Sequence, residues 1–219
     1  MIVRCQHICT LLCAAALALF SACENGESDP KVPQILGDTL LIDVSGQQYK
    51  IRRFGDALWM MENFRSTRGT NPIYVYDAIQ PQTDKIPYYG LLYNFQTAKE
   101  LQPKYWAIPS EADLDALLEY METTREQAGA FLKGDADWTT TQSDGVTLNF
   151  APTGLGYIET HDREGYGTEC YFFLSDRDEK LGVKVAKMVD SSQAITVDYH
   201  NEVEEYMTVR YIMYSPQWE

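Results

Sequence analysis

The chain has 219 residues, 32 of them Asp or Glu and 18 Lys or Arg, for a formal net charge of −14 at pH 7. So acidic a polymer has no electrostatic footprint for nucleic acid and is repelled by anionic lipid surfaces. Its length and 45% hydrophobic content suit one ordinary domain, large enough to bury about 70% of its unfolded surface without a disulfide scaffold.

The first element is a signal. Met1-Ile2-Val3-Arg4 precedes a mostly apolar run from Ile8 to Ala22, and one basic residue ahead of a short run of small and aliphatic residues is the layout of a secretory leader. As a helix the run spans about 22 Å, short of a hydrocarbon core of about 30 Å, so it reads as an address label. Its end, Phe20-Ser21-Ala22-Cys23, resembles a bacterial lipobox with Phe in place of the commoner Leu. An ordinary signal peptidase site wants a small residue where Phe20 stands. Residues 1–22 are thus expected to be removed, leaving Cys23 to carry a diacylglyceryl thioether. At about 0.8 kcal/mol per buried methylene, two or three acyl chains anchor firmly. The alternative is a soluble secreted protein in which Cys23 is incidental. Residues 23–37 read as a tether, because Glu24-Asn25-Gly26-Glu27-Ser28-Asp29-Pro30 is too poor in apolar residues to fold. This acidic stretch resembles the surface-export signal of Bacteroidetes lipoproteins, or serves as a plain linker.

Cleavage removes the positive charge of Arg4 and no carboxylate, so the formal charge moves from −14 to −15. Cys5, Cys9 and Cys13 leave with the signal, and only Cys170 remains in the expected domain, 38–219. No intramolecular disulfide can form there, and Glu169-Cys170-Tyr171-Phe172-Phe173-Leu174 reads as a strand with a buried, inert thiol.

The domain opens with a predicted antiparallel meander: Thr39–Val44, a Ser45-Gly46-Gln47 turn, the alternating strand Gln48–Phe54, a Gly55-Asp56 turn, and Ala57–Met61. Two helices follow from capping signals. Ser110 with Asp113 forms a capping box, and Leu114, Leu117, Leu118 and Met121 make one apolar stripe. A second helix is expected from about Thr124 to Lys133, with Gln127 as box partner and Gly134 as its stop, and a weaker one over Tyr93–Leu101. Short strands are predicted at Val146–Phe150, Tyr171–Leu174, Val183–Val189, Ala194–Tyr199 and Met207–Tyr214. Strands at both ends with two or three central helices indicate an α+β domain rather than a parallel βαβ sheet.

From Asp43 to Tyr214 the chain resembles the Fibrobacter succinogenes major paralogous domain, a family of envelope proteins. Its W-M-x-E-N-L segment matches Trp59-Met60-Met61-Glu62-Asn63-Phe64, and its Y-G-x-L-Y-N-W segment matches Tyr89-Gly90-Leu91-Leu92-Tyr93-Asn94-Phe95. C-P-x-G-W-H-V-P-S matches Gln102-Pro103-Lys104-Tyr105-Trp106-Ala107-Ile108-Pro109-Ser110. A P-x-G stretch fits Ala151-Pro152-Thr153-Gly154, and a terminal S-V-R-C-V-R fits Thr208-Val209-Arg210-Tyr211-Ile212-Met213. The family's paired cysteines correspond to Gln102 and Tyr211, absent together as a disulfide pair would be, and its histidine corresponds to Ala107. The resemblance implies a C-type-lectin-like fold related to formylglycine-generating enzymes. Their cysteine-pair oxidation is closed to a domain holding only Cys170.

Chemical motifs are few. His161 and His200 stand outside any zinc-binding spacing, and there is no nucleophile elbow, phosphate loop or dinucleotide fingerprint. Asp176, Asp178 and Glu179, then Glu202, Glu204 and Glu205, form acidic clusters without EF-hand order and read as solvated turns; so do Asp135 and Asp137. A carboxylate pair for glycoside hydrolysis is defined in space rather than by spacing and stays open. The 15 Tyr and 4 Trp are the main asset. Trp59, Trp106 and Trp138 read as core, while Tyr74, Tyr76, Asp77, Tyr88 and Tyr89 form the candidate ligand surface, sugar-stacking or protein-docking, with ordinary loop packing as the alternative.

The expectation is therefore a non-catalytic lipoprotein without cofactor or metal, anchored in the outer membrane through Cys23 and exposed on the cell surface, or alternatively on the periplasmic face. It would bind a glycan or a surface protein and no nucleic acid. The competing readings are an envelope carbohydrate-active enzyme with an unrecognised carboxylate site and a purely structural envelope component.

Overall fold

Residue alternation organises the molecule. The structure, a computed structural model, describes residues 34–35, 40–42, 46–67, 73–74, 86–134, 137–139, 148–157 and 163–214. It opens with β1 (Gln34–Ile35), β2 (Leu40–Ile42), β3 (Gln48–Phe54) and β4 (Ala57–Met60), each antiparallel to the one before where they pair. Phe54 pairs with Ala57, so Gly55-Asp56 is a two-residue hairpin loop; β2, β3 and β4 pair in the expected order, with 39 and 43–45 of the expected first strand and turn outside the described residues. Next come β5 (Ile73–Tyr74), α1 (Ile86–Tyr89), β6 (Leu92–Tyr93), α2 (Phe95–Glu100), α3 (Glu111–Tyr120) and α4 (Gly129–Leu132). The remainder is β7 (Leu155–Tyr157), β8 (Arg163–Glu164), β9 (Glu169–Asp178), β10 (Gly182–Val189), β11 (Ile195–His200), β12 (Glu205–Tyr206) and β13 (Ile212–Tyr214). β13 returns to the opening meander in the order β1-β2-β3-β4-β13; the other sheets run β11-β10-β9, β12-β7-β8 and β5-β6.

The α+β, C-type-lectin-like expectation is corrected by this layout. The described residues form a mainly β molecule, thirteen strands against four helices of four, six, ten and four residues. The physical reason lies in the strands' two faces. Tyr49, Ile51, Leu58, Met60, Tyr171, Phe173, Val183, Val185, Tyr211 and Met213 enter one core, while their strand neighbours Phe54, Trp59, Cys170, Phe172, Leu174, Ala186, Met188 and Ile212 enter a second. Sheets buried on both faces supply most of each core, and the helices only close the edges. α3 adds Leu114, Leu117 and Leu118 to the second core, and α2 adds Phe95 and Ala98 to the first.

α3 begins as its sequence predicts, with Ser110 and Asp113 forming a reciprocal capping box. Asn94 caps α2, its Oδ1 accepting from the Thr97 N–H at 2.8 Å. The expected Thr124–Lys133 helix shrinks to α4. Residues 125–128 are turn, and Lys133 leaves the helix in extended conformation (ψ 142°) to pair with Phe150. Gly134 therefore donates to the Phe150 carbonyl at 2.8 Å instead of closing a helix. Helix propensity loses here to a tertiary strand contact. Of the predicted Val146–Phe150 strand, 146–147 lie outside the described residues, and Phe150 makes only the bridge to Lys133. β9 runs on through Ser175–Asp178, which the sequence reading gives to a loop, and β6, β7 and β8 have no counterpart in it.

The motif segments converge on one buried node. The Asn63 amide donates to the Tyr89 carbonyl at 2.9 Å and accepts from Arg210 Nε at 2.8 Å. Gly90, at φ 75°, lies against them; a Cβ there would stand 2.6 Å from Asn63 Cβ and 2.7 Å from the Phe64 carbonyl oxygen. Only glycine fits both that backbone and that approach. Arg210 also donates to the carbonyls of Met60, Leu148 and Asn149, and its guanidinium lies 3.8 Å from the Phe150 ring centroid. Tyr211, at one of the family's cysteine positions, reaches α2 and donates to the Ala98 carbonyl at 2.5 Å.

Candidate functional site

The tyrosines singled out in the sequence separate. Tyr76 and Asp77 lie outside the described residues, as do Cys23 and His161. Tyr74 is in β5, paired with Leu92. Tyr88 and Tyr89 are brought together on α1, rings edge-on with centroids 5.3 Å apart. Tyr89 is buried at 3% exposure and belongs to a small core with Leu92, Ala151 and Tyr206. Its hydroxyl donates to Asp137 Oδ2 at 2.5 Å, and burial followed by that bond holds the phenol well above its ordinary pKa. Tyr166, whose ring lies 5.8 Å from that of Tyr89, stands nearer solvent beneath Arg163. Packing thus consumes Tyr89, and no ring face of it is offered to a ligand. Trp59, Trp106 and Trp138 are buried as expected.

The acidic clusters are used in hydrogen bonding. Asp176, on β9, accepts from the Glu111 N–H at 2.6 Å, and Asp178 accepts from Lys180 and Leu181 at the β9–β10 turn. Glu204 bonds Asn201, Glu202 pairs with Arg177, and Glu205 Oε2 lies 2.6 Å from His200 Nδ1. Among the described residues no group of three or more His, Cys, Asp or Glu is placed to hold a metal ion. Cys170 is fully buried, and burial pushes its thiol up to about 11.

Open aromatic surface occurs elsewhere, in a groove of about 330 Å³ between the β3–β4 turn, the end of β13 and the outer face of α3. Phe54, Tyr120 and Tyr214 form its aromatic walls, and Asp56, Asp113 and Glu119 its polar rim. Tyr120 is 58% exposed and Tyr214 40%. Tyr120 stands edge-on to Phe54, centroids 6.0 Å apart, and rests against Gly55. Tyr214 is held by its hydroxyl, which donates to Asp113 Oδ1 at 2.6 Å. Burial, and after it this bond, keeps the phenol protonated above its ordinary range. Asp113 Oδ2 accepts from the N–H and hydroxyl of Ser110, so both Asp113 oxygens are engaged, while Asp56 and Glu119 stay at the exposed rim. No cation is among the described residues lining the groove. One signal for it was legible: Tyr120 falls off the Leu114-Leu117-Leu118 stripe, an aromatic on the solvent face of an otherwise polar helix surface. Tyr214 gave none, because its place beside α3 depends on β13 pairing with β4.

Fold and surface define a mainly antiparallel-β domain with shallow, open grooves on a framework of buried motif residues. The sequence model of the Fibrobacter succinogenes major domain matches residues 53–213, and the chain belongs to that family. A search of curated proteins returned no match, and neither did a search of solved structures.

Proposed function

We propose that the protein is a non-catalytic glycan-binding module, held at the cell envelope through a lipid on Cys23, with the groove along α3 as its binding surface. The observation that carries this reading is the pair of half-exposed tyrosine rings, Tyr120 and Tyr214, beside rim carboxylates and without a cation among the described lining residues. Aromatic faces stack on the apolar faces of sugar rings, and carboxylates accept hydrogen bonds from their hydroxyls. Among the described residues the lining carries carboxylates and no cation, which favours neutral over acidic sugars. A hydrolase reading finds less support, since Asp113 has both oxygens engaged.

The test is a panel of neutral oligosaccharides titrated against the full chain and its Tyr120→Ala variant. The expected result is binding of at least one neutral glycan, weakened about tenfold or more in Tyr120→Ala, a loss of about 1.4 kcal/mol, with the glycan recovered intact. Release of shorter products would replace the binding module with an enzyme, and a variant that binds undiminished would dismiss the groove. Anchoring is read separately, by protease treatment of intact cells expressing the native chain or Cys23→Ala. Loss of the native domain from intact cells supports surface exposure, protection until lysis places it inside, and a Cys23→Ala protein that stays membrane-bound refutes the lipid anchor.

A further inference from the structure

The groove along α3 carries charge as well as aromatic faces, and the two features meet at Tyr120. Asp56, Asp113 and Glu119 line it, and no Lys, Arg or His is among its described lining residues. Arg52 comes near, its guanidinium 5.6 Å from the Phe54 ring centroid, but it is not part of the lining. Three carboxylates against that one neighbour leave the groove negative, in a chain whose net charge is already −14.

The three carboxylates are not equivalent. Asp113 is committed: one oxygen accepts from the Tyr214 hydroxyl and the other from Ser110. Asp56 and Glu119 are exposed, and among the described residues their side chains form no hydrogen bond or ion pair. Both stand beside Tyr120, the most open ring of the groove at 58% exposure. Glu119 directly precedes it in α3, and Asp56 follows Gly55, against which its ring rests. Alone, the two acids would be an ordinary solvated rim. Next to an open aromatic face they attract a cation, because the negative face of the ring and the anions favour the same charge.

The walls limit which cation that is. They are a helix face and a two-residue turn, and the outer side of β13 is taken where Ile212 and Ala107 exchange both backbone bonds, at 2.7 and 2.8 Å. Among the described residues an extended basic peptide therefore finds no run of open strand edge to join. At about 330 Å³ the groove is at the small end of ligand sites, about 300–1,000 Å³, and suits a compact ring.

We propose that the groove prefers sugars bearing a free ammonium, of the 2-amino-2-deoxyhexose class, over their neutral counterparts. The pyranose face stacks on Tyr120, and the ammonium is met by Asp56 and Glu119. This rests on the reading of the groove as a glycan site and specifies its ligand. An exposed ion pair is worth at most about fivefold in affinity, and an ammonium against an exposed ring about two- to fivefold. Together they give a preference of about tenfold.

The experiment is calorimetric titration of the full chain at about pH 6 with three β-1,4-linked trisaccharides that differ only at carbon 2. These are the glucosamine trimer with its ammonium, its N-acetylated form, and cellotriose with a hydroxyl. The glucosamine trimer is expected to bind about tenfold more tightly than both. Its advantage should shrink in about 1 M sodium chloride, where charges are screened beyond about 3 Å. In the Asp56→Asn, Glu119→Gln double variant the ratio of glucosamine-trimer to cellotriose affinity should fall to about threefold or less. Both substituted side chains are exposed, and unchanged circular-dichroism melting will confirm that the variant folds. Equal binding of cellotriose or of the acetylated trimer, a preference unchanged in the double variant, or one indifferent to salt each overturns the proposal and leaves the neutral-glycan reading standing. A trilysine peptide that binds as tightly as the glucosamine trimer overturns it in favour of a basic peptide. If Tyr120→Ala binds all three trisaccharides as the native chain does, or none of them binds at millimolar concentration, the glycan reading of the groove fails and this inference with it.

Discussion

Arg210 is a guanidinium almost sealed from water whose described hydrogen-bond acceptors are all neutral: Asn63 Oδ1 and the carbonyls of Met60, Leu148 and Asn149. Burial lowers its pKa to about 9, so at neutral pH it is still a cation, held by carbonyl dipoles and the Phe150 ring. Replacing it with Met removes the donor from these acceptors, and each one left buried and unpaired costs about 1–3 kcal/mol. Arg210→Met is expected to lose about 3 kcal/mol or more, read as a lower urea midpoint with unchanged slope. Tyr105 is a residue under the opposite kind of constraint. It stands at the glycine position of the family's C-P-x-G-W segment and adopts φ 69°, a left-handed conformation unfavourable for a bulky residue. It is largely exposed, and Lys104 Nζ lies 5.1 Å from its ring centroid, an exposed cation–π contact worth about 0.5–1 kcal/mol. Tyr105→Gly should relieve the backbone strain of about 1–2 kcal/mol and raise thermal stability slightly, as a melting temperature a few degrees higher. A lower melting temperature would show that the ring's contacts outweigh the strain.

At the scale of elements, α3 is docked through its first turn. The Glu111 N–H donates to Asp176 of β9, and the Glu111 carboxylate pairs with Lys184 of β10 and, at 2.8 Å, with Arg125, which also grips Asp115 through two bonds of 2.7 Å. The hydrogen bonds from Lys184 first and Arg125 second hold the Glu111 carboxyl below its ordinary value of 4.5. A carboxyl whose folded pKa is lowered stabilises the fold fully above its unfolded value, and that contribution is lost as pH falls through the lower folded value. Glu111→Gln should therefore cost stability at pH 7, about 1 kcal/mol or less for a partly exposed network. The gap from the native chain should close below pH 4, as measured by urea denaturation at a series of pH values. A gap constant with pH would mean that Glu111 acts through packing alone. The same dependence on neighbours explains why α3 is a helix of ten residues and α4 only four: α3 has a capping box and a docked apolar face, while the chain after α4 is drawn into pairing with Phe150.

For the whole molecule, the two large cores share strands. Within β9, Tyr171 and Phe173 point into one core and Cys170, Phe172 and Leu174 into the other. β13, near the far end of the chain, pairs with β4 of the opening meander, and Ile212 also bridges to Ala107. Neither core can then dissolve without exposing the other face of the same strands, and unfolding is expected to be one cooperative transition. Phe172→Ala and Phe173→Ala sit on opposite faces, each at a cost of about 3–5 kcal/mol. Each should move tryptophan fluorescence and far-ultraviolet circular dichroism together, to the same lowered midpoint. Two separated transitions in either variant would show the cores to be independent.

Some of this was legible residue by residue. Local chemistry determined the meander, because the β3 alternation and the Gly55-Asp56 turn are short-range signals, and it determined the start of α3, because a cap needs only the next three residues; the helix expected over Tyr93–Leu101 starts instead at Phe95, its Asn94 cap unread. Family membership was readable too, since the residues now seen at the Asn63–Gly90–Arg210 node stand in recognisable segments, although their meeting is invisible in the linear chain. The balance of the fold went to the tertiary structure. The run Tyr171-Phe172-Phe173-Leu174 carries no sign of which neighbour faces which core, and two-sided burial of the strands left the helices a marginal part. The groove was decided at the same level. Tyr214 meets Asp113 only because β13 crosses to β4, and Asp56, Glu119 and Tyr214 share a groove only because three distant segments pack together. Surfaces of that kind are made by long-range contacts, while the sequence by itself specifies only what each short segment can contribute to them.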